Sequence, residues 1–265
     1  MDFDRYVAEI ESRPPDRRGG IENVVVLRDV DSTNRLARTM AAEYESERQN
    51  LPRALLLALE QTAGKGRQGR AWASPAGQGV YATLLLWVSE PARLATLPLL
   101  AGVGLARGLV PLLPAGSSAE PRLKWPNDLV VSGQKIGGIL IETALRTEAG
   151  AVVILGFGVN HSQAREELPI EAATSLRLEG GTADLAELTW ALVEALAAEL
   201  QHMGDAPYAV AAYRELSAHA PGDRLTCRTG SATIEGTFLG FDEAGSLRLT
   251  TAEGEAVVAA GEVIA

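Results

Sequence analysis

Gln61-Thr62-Ala63-Gly64-Lys65-Gly66-Arg67-Gln68-Gly69-Arg70-Ala71-Trp72 carries three cations, three glycines and no acid. Ahead of it, Ala54-Leu55-Leu56-Leu57-Ala58-Leu59 is a short, continuous apolar run, the pattern of a strand buried on both faces. The basic stretch is therefore predicted to leave the end of a central strand. Glycines let backbone N–H groups approach an anion, and Lys65, Arg67 and Arg70 supply the compensating charge. Phosphate or carboxylate is the natural guest; a solvated basic surface loop is the plain alternative. Gly64-Lys65-Gly66-Arg67-Gln68-Gly69 also matches the dinucleotide fingerprint G-x-G-x-x-G, which requires a helix to follow at once. Ala73-Ser74-Pro75-Ala76-Gly77-Gln78-Gly79 follows instead, and its proline and glycines exclude that fold. A Walker A loop fails as well, because Lys65 precedes Gly66 rather than Ser or Thr.

Upstream, residues 1 to about 20 predict a short helix and a loop broken by Pro14-Pro15 and Gly19-Gly20, and Asn23-Val24-Val25-Val26-Leu27 predicts the first strand. Leu36, Ala37, Met40, Ala41 and Tyr44 then recur at helical spacing behind Asp31-Ser32-Thr33-Asn34. Asp31 or Ser32 should cap that helix, and Ser32 and Thr33 either serve capping alone or present hydroxyls to a ligand.

Downstream, Val80 to Trp87 reads as a strand, and Leu97 to Val110 as a buried helix crossing the back of the sheet. Gly102, Gly104 and Gly108 lower its helix propensity and are read as permitting close packing. Leu123-Lys124-Trp125-Pro126-Asn127-Asp128-Leu129-Val130-Val131 puts a lysine inside an apolar strand that ends at a turn. Lys124 either snorkels to the rim or aims its charge at a bound anion. Gly133 closes a hairpin into Lys135 through Glu142, where the adjacent Gly137 and Gly138 mark a bulge or a flat ligand lying on the sheet. Ala151 through Asn160 is a further buried strand. Leu185, Leu188, Leu192, Leu196, Leu200 and Met203 trace an amphipathic helix, with Asp184 and Glu187 placed as a capping box, and Tyr208 to about His219 another. After Pro221-Gly222 the pattern becomes short strands, Arg224–Arg228, Thr233–Leu239, Ser246–Thr250 and Ala256–Ala259, separated or flanked by glycine turns: a small β-barrel of the SH3 kind.

The 265 residues, 46% hydrophobic and 22% charged, suit one large and one small domain. A net charge of −10 and a pI of about 4.9 disfavour a nucleic-acid surface, so the cationic loop stands out as a local anion site. Cys227 alone cannot form an intramolecular disulfide and reads as a small packed residue; His161, His202 and His219 lack metal-ligand spacing, so no metal-ligating residues are predicted. No signal peptide and no apolar run of membrane-spanning length are read, which predicts a cytoplasmic protein without a membrane partner.

Five stretches in order, Ser32-Thr33-Asn34, Gln61 to Trp72, Lys124-Trp125-Pro126-Asn127-Asp128, Lys135 to Glu142 and Gly156 to Asn160, together with the terminal barrel, resemble the biotin protein ligases. The resemblance implies an α+β fold: a mixed β-sheet with helices packed on it, like that of class II aminoacyl-tRNA synthetases, in a catalytic domain over 1–220, and an SH3-like barrel over 221–265. It implies condensation of biotin with ATP, with Mg2+, to biotinyl-5′-AMP and pyrophosphate, then transfer to one lysine of a biotin carboxyl carrier domain. By resemblance Ser32, Thr33, Asn34 and Gln61 hold biotin's ring system, and Gly137 and Gly138 floor its pocket. Lys65, Gly66 and Arg67 fold over the carboxylate and phosphates, while Lys124 sits where those anions meet, with Lys124 and Arg67 as the catalytic pair. Gly64, Arg70, Trp72, Asn127 and Asn160 approach the nucleotide. Lys65 stands where the family more often has arginine, keeping charge and losing bidentate geometry.

A lipoate or octanoate ligase or transferase of the same superfamily is the nearest rival, and a biotinyl-AMP-binding repressor another. About 22 residues precede the first strand, too few for a helix-turn-helix module. A third reading is a non-catalytic nucleotide or polyanion binder. A homodimer is left open.

Overall fold

The computed structural model describes residues 2–43, 51, 53–116 and 119–264. Tyr44, the last residue of the first helical pattern, lies outside them. Its main layer is a seven-stranded mixed sheet in the order β1-β2-β3-β7-β6-β5-β4. Its strands are β1 (Asn23–Val30), β2 (Ala54–Gln61), β3 (Gly79–Val88), β4 (Pro121–Lys124), β5 (Asp128–Val131), β6 (Gln134–Thr147) and β7 (Gly150–Asn160). Only β1 and β2 run parallel, because helix α2 (Thr33–Glu43) carries the chain back between them. The remaining neighbours are antiparallel.

β2 is buried on both faces, as its apolar run predicts, but it is one strand in from the edge. β7, eleven residues buried throughout, is the central strand. Continuous apolarity reports burial of both faces, which any interior strand can have; it does not report position in the sheet. Leu56, Leu85, Val152 and Ile154 pack under α2 with Ala37 and Ala41. On the opposite face Leu55, Leu57, Leu84 and Leu155 join the larger core with α1 (Phe3–Glu11), α3 (Leu97–Leu109) and α4 (Leu185–Glu199).

Two of the three glycines of α3 do what their pattern predicts. A Cβ at Gly104 would lie 2.6 Å from Leu196 Cα, and one at Gly108 2.7 Å from the Ala191 carbonyl, so α3 and α4 touch backbone to backbone. The continuous helical stretch Pro91–Leu112 is 22 residues long with a mean hydropathy of 1.5 in its most apolar part, so a run of spanning length is present after all. It is 67% buried inside the protein, as the core helix between sheet and α4. Asp184 caps α4 by accepting from the Glu187 N–H at 2.8 Å.

Helix α5 (Ala206–Glu215) stops short of His219. Leu123 N–H donates to Leu216 O (2.8 Å) and Ala218 N–H to Leu123 O (2.9 Å), so the chain leaving α5 pairs with the open edge of β4. The backbone groups of Leu123 would otherwise face no partner there.

β8 (Arg224–Thr229), β9 (Ala232–Phe241), β10 (Leu247–Thr251), β11 (Gly254–Val258) and β12 (Glu262–Val263) form an antiparallel five-stranded sheet in the order β11-β10-β9-β8-β12. β12 was not foreseen, since two residues carry no periodicity. Cys227, Phe238, Phe241 and Leu249 belong to the same apolar cluster as the main core, and Phe241 meets Tyr213 of α5 edge to face at 5.3 Å. Trp125 Nε1–H donates to Gly245 O at 3.2 Å, so the turn after Lys124 is braced by this second sheet.

Candidate active site

Parallel pairing sets Val30 opposite Gln61, which brings the C-terminal end of β1 and the start of α2 beside the end of β2. Gln61 Oε1 accepts from the Thr33 N–H at 2.9 Å and lies 3.1 Å from Thr33 Oγ1, while Gln61 Nε2 donates to Ser74 Oγ at 3.0 Å. One of the helix's orphan N–H groups is thus satisfied by a side chain from the neighbouring strand. Ser32 holds the cap position, its carbonyl accepting from Leu36 N–H at 3.0 Å. Asp31 receives Arg35 at 2.7 Å.

The basic stretch folds back on itself. Lys65 bridges to Ala71, Gly66 N–H donates to Arg70 O (2.8 Å) and Trp72 N–H to Gly64 O (2.9 Å). Its tip, Arg67–Gly69, turns through left-handed Gln68 (φ 56°) and Gly69 (φ 74°). Beneath it lies a cavity of about 350 Å³, lined among others by Ser32, Thr33, Gln61, Lys65, Arg67 and Lys124. Gly66, Arg70, Trp72, Asn127, Gly138 and Asn160 also reach it. Arg67 Nη1 donates to Asn127 Oδ1 at 3.2 Å, and Asn127 holds β6 through both Nδ2 to Ile139 O (2.9 Å) and its own carbonyl.

Arg70, mostly exposed, grips Glu262 of β12 with both guanidinium ends, one at 2.6 Å. The Arg70 hydrogen bond, then its charge, hold the Glu262 carboxyl below its ordinary range; burial opposes this, and Arg228 and Lys124 add to the lowering. Lys124 closes β4 half-buried on the cavity wall. Lys135 donates to Asp128 Oδ1 at 2.7 Å and lies 5.6 Å from the centre of the Trp72 ring.

The floor is glycine, but not the pair expected. Gly138 faces the cavity near Trp72, whereas a Cβ on Gly137 would meet Gly158 O at 2.7 Å on the far side, because successive strand residues alternate. Gly64 also stands behind the wall, packed on Trp72 O and Ser74 Oγ. Gly156 and Gly158 replace them: a Cβ at Gly156 would lie 2.1 Å from Asn34 Oδ1, and one at Gly158 2.4 Å from Trp72 Nε1. Their spacing of two puts both on one face of β7, a signal present in the sequence. Trp72 Nε1 is buried without a hydrogen-bond partner.

Asn34 lines the cavity, yet its amide is engaged inside the protein. Nδ2 donates to Glu142 Oε2 (2.9 Å), and Oδ1 lies 2.7 Å from Thr83 Oγ1. Asn160 is similarly held, donating to Thr174 O at 2.9 Å and accepting from Gln163 at 3.3 Å. Gln163, on the cavity wall, and Thr83, behind it, are residues that the sequence pattern did not single out, and Asp128 is given no role of its own by the stretch that contains it. The arrangement has one polar end at Ser32, Thr33 and Gln61, an apolar and glycine floor, and cations at Lys65, Arg67 and Lys124. It can orient a neutral polar ring at one end and neutralise carboxylate and phosphate at the other.

The model of the biotin/lipoate A/B protein ligase family matches residues 26–160. The biotin--[acetyl-CoA-carboxylase] ligase of Paracoccus denitrificans is 33% identical over 246 residues, 90% of this chain and 98% of that protein. The bifunctional ligase/repressor BirA of Bacillus spizizenii is 30% identical over 89% of this chain and 74% of its own length. A biotin protein ligase from Aquifex aeolicus, solved in complex with biotin and ATP, superposes with a TM-score of 0.72 at 27% identity, covering 91% of this chain and 97% of that one.

Proposed function

The chain belongs to the biotin/lipoate A/B protein ligase family, and from that premise we propose that it is an ATP-dependent biotin protein ligase. It joins biotin to AMP and then passes biotin to a lysine of a biotin carboxyl carrier domain. The observation that carries this reading is the single cavity in which the polar end at Ser32, Thr33 and Gln61 faces Lys65, Arg67 and Lys124. The Paracoccus denitrificans and Aquifex aeolicus biotin ligases, matched over nearly their whole length, support the choice of biotin over lipoate.

In the first half-reaction a biotin carboxylate oxygen bonds to the α-phosphorus of ATP and the bond to the pyrophosphate oxygen breaks. Two anions must meet, so the contribution of this chain is fixed positive charge and orientation rather than a covalent nucleophile. Lys124 bridges carboxylate and α-phosphate oxygens, and Arg67, positioned by Asn127, covers them from the loop. Trp72, seated on its glycine floor, offers its ring to the nucleotide. In the second half-reaction the acceptor lysine, as the neutral amine, attacks the acyl carbon. AMP leaves with the bonding pair, and the amine's proton is lost to solvent. Among the described residues no group of three or more His, Cys, Asp or Glu side chains is placed to hold a metal. Magnesium arrives as part of the substrate, on the triphosphate.

The test is pyrophosphate release from ATP with biotin, lipoate, octanoate or no acid, without carrier protein. Release that requires biotin supports the reading. Release with lipoate or octanoate instead keeps the site and replaces the substrate, and no release with any acid leaves a binding protein.

A further inference from the structure

Of the 24 lysines and arginines in the chain only three are lysines, Lys65, Lys124 and Lys135, and all three line the cavity. Among the described arginines only Arg67 and Arg70 reach it. Away from the cavity the chain therefore carries its basic side chains as guanidinium groups, without a single lysine amine. The difference is chemical as well as electrostatic, because an amine can lose a proton and attack an acyl group, whereas a guanidinium stays charged.

The three amines are not equally free. Lys135 Nζ is held by Asp128 Oδ1 at 2.7 Å. Lys124 ends β4 half-buried, on a backbone fixed by the contacts of Leu123 and Trp125. Lys65 is exposed on the folded-back loop, between Gly64 and Gly66, and its ammonium meets no hydrogen-bonding or ionic partner among the described residues. It is the one lysine of the cavity carried by a loop and left without a side-chain partner or a fixed strand end.

We propose that, when no carrier domain is present, the protein acylates its own Lys65. The proposal rests on the ligase reading, which supplies biotinyl-AMP in this cavity. The step is the second half-reaction with a loop amine as acceptor. Lys65 Nζ, as the neutral amine, forms a bond to the acyl carbon, and the bond from that carbon to the phosphate oxygen breaks. AMP leaves with the electron pair, and the amine's proton goes to solvent. The product is a biotinyl amide on the loop. An amide has no charge, so the anion end keeps Arg67 and Lys124 and loses its third cation. Self-acylation is thus self-limiting, because a labelled chain is a slower maker of adenylate. Adenylate that escapes the cavity finds no lysine elsewhere on the same chain.

The experiment incubates the wild-type chain with biotin and ATP, without carrier protein, follows pyrophosphate release, and maps acylated residues by peptide mass spectrometry. The expected result is one biotinyl group per chain, on Lys65. The labelled chain, freed of nucleotide, should form adenylate about tenfold or more slowly than the unlabelled one. Lys65→Arg keeps the charge and removes the amine, so its loop should stay unlabelled while biotinyl-AMP accumulates. Biotinyl-AMP added to the urea-unfolded wild-type chain should label all three lysines, which assigns the selectivity to the fold. Equal labelling of the three lysines in the folded chain, label confined to Lys124 or Lys135, label on Lys65 alone in the unfolded chain, or pyrophosphate release that leaves the wild-type chain unlabelled overturns the proposal while leaving the ligase reading intact. A wild-type chain that releases no pyrophosphate with biotin overturns both.

Discussion

Trp72 lies directly on the backbone of Gly158: a Cβ there would be 2.4 Å from the indole nitrogen, 2.6 Å from Cε2 and 2.9 Å from Cζ2. The ring is packed against the central strand from a loop more than eighty residues away in sequence, and it is the absence of a side chain that permits it. Gly158→Ala must lift the ring, because the tryptophan cannot give by the required distance. Overpacking of this kind costs about 1–3 kcal/mol. With Trp72 read as a nucleotide contact, KM for ATP should rise about tenfold or more, and KM for biotin much less. An alanine variant with an unchanged ATP requirement removes Trp72 from that role.

Lys124 ends β4, and its backbone neighbourhood is fixed on two sides, by Leu123 pairing with Leu216 and Ala218 and by Trp125 bonding to Gly245. Its backbone is thus held in place, and the ammonium is carried into the site from a fixed strand end. Lys124→Ala should lower biotinyl-AMP formation by about two to three orders of magnitude, as for loss of a preorganised donor to developing charge, with little change in melting temperature. Rapid mixing in a single turnover checks it, and near-wild-type formation of the adenylate would falsify the assignment.

Much of this site is legible in the sequence because its parts are chemically unusual: a lysine in an apolar strand and a cation-rich glycine loop have few structural reasons to exist. Thr83 is invisible for the opposite reason, since a threonine in a strand is what any half-buried sheet contains. Gly137 and Gly138 stand out in the sequence because they are adjacent, and Gly158 does not. Which of two neighbours faces a site, however, depends on pleat phase, and that is set by the register with β7. The end of α5 at Glu215 and the two-residue β12 were settled by tertiary pairing to β4 and β8, which no local pattern encodes.

Arg70 holds Glu262 across the mouth of the cavity, the contact that ties the basic loop to the second sheet. The Arg70 side chain is 55% exposed, so the pair adds little stability, about 0–1 kcal/mol. Its consequence is for the loop. Glu262→Gln should leave the melting temperature within about 2 °C yet speed tryptic cleavage at Lys65, Arg67 and Arg70 severalfold. Added biotinyl-AMP should slow cleavage in both proteins by ordering the loop over the adenylate. Identical cleavage of variant and wild type would show that Glu262 does not restrain the loop, and indifference to biotinyl-AMP would show that the loop does not close on it.

Two histidines should make stability fall on mild acidification. His161 and His219 are each held below the ordinary 6.5, in both cases first by burial. Ala183 O, which Nε2 of His161 meets at 2.9 Å, opposes the shift, Arg177 and the N-terminal amine add to it, and Asp184 opposes it. For His219, Lys124 adds to the lowering and Asp223 opposes it. His161 Nδ1 and His219 Nε2 are both buried without hydrogen-bond partners. A depressed folded-state value means that the unfolded chain binds protons first. The native state is therefore unaffected above the unfolded value and loses stability as pH falls through about 6.5 toward the lowered folded values. The melting temperature should be flat from about pH 8 to 7 and drop by a few degrees by about pH 5.5, before most carboxylates titrate. The double variant His161→Gln, His219→Gln should flatten that slope; an equally steep fall in the variant would assign the acid sensitivity to other groups.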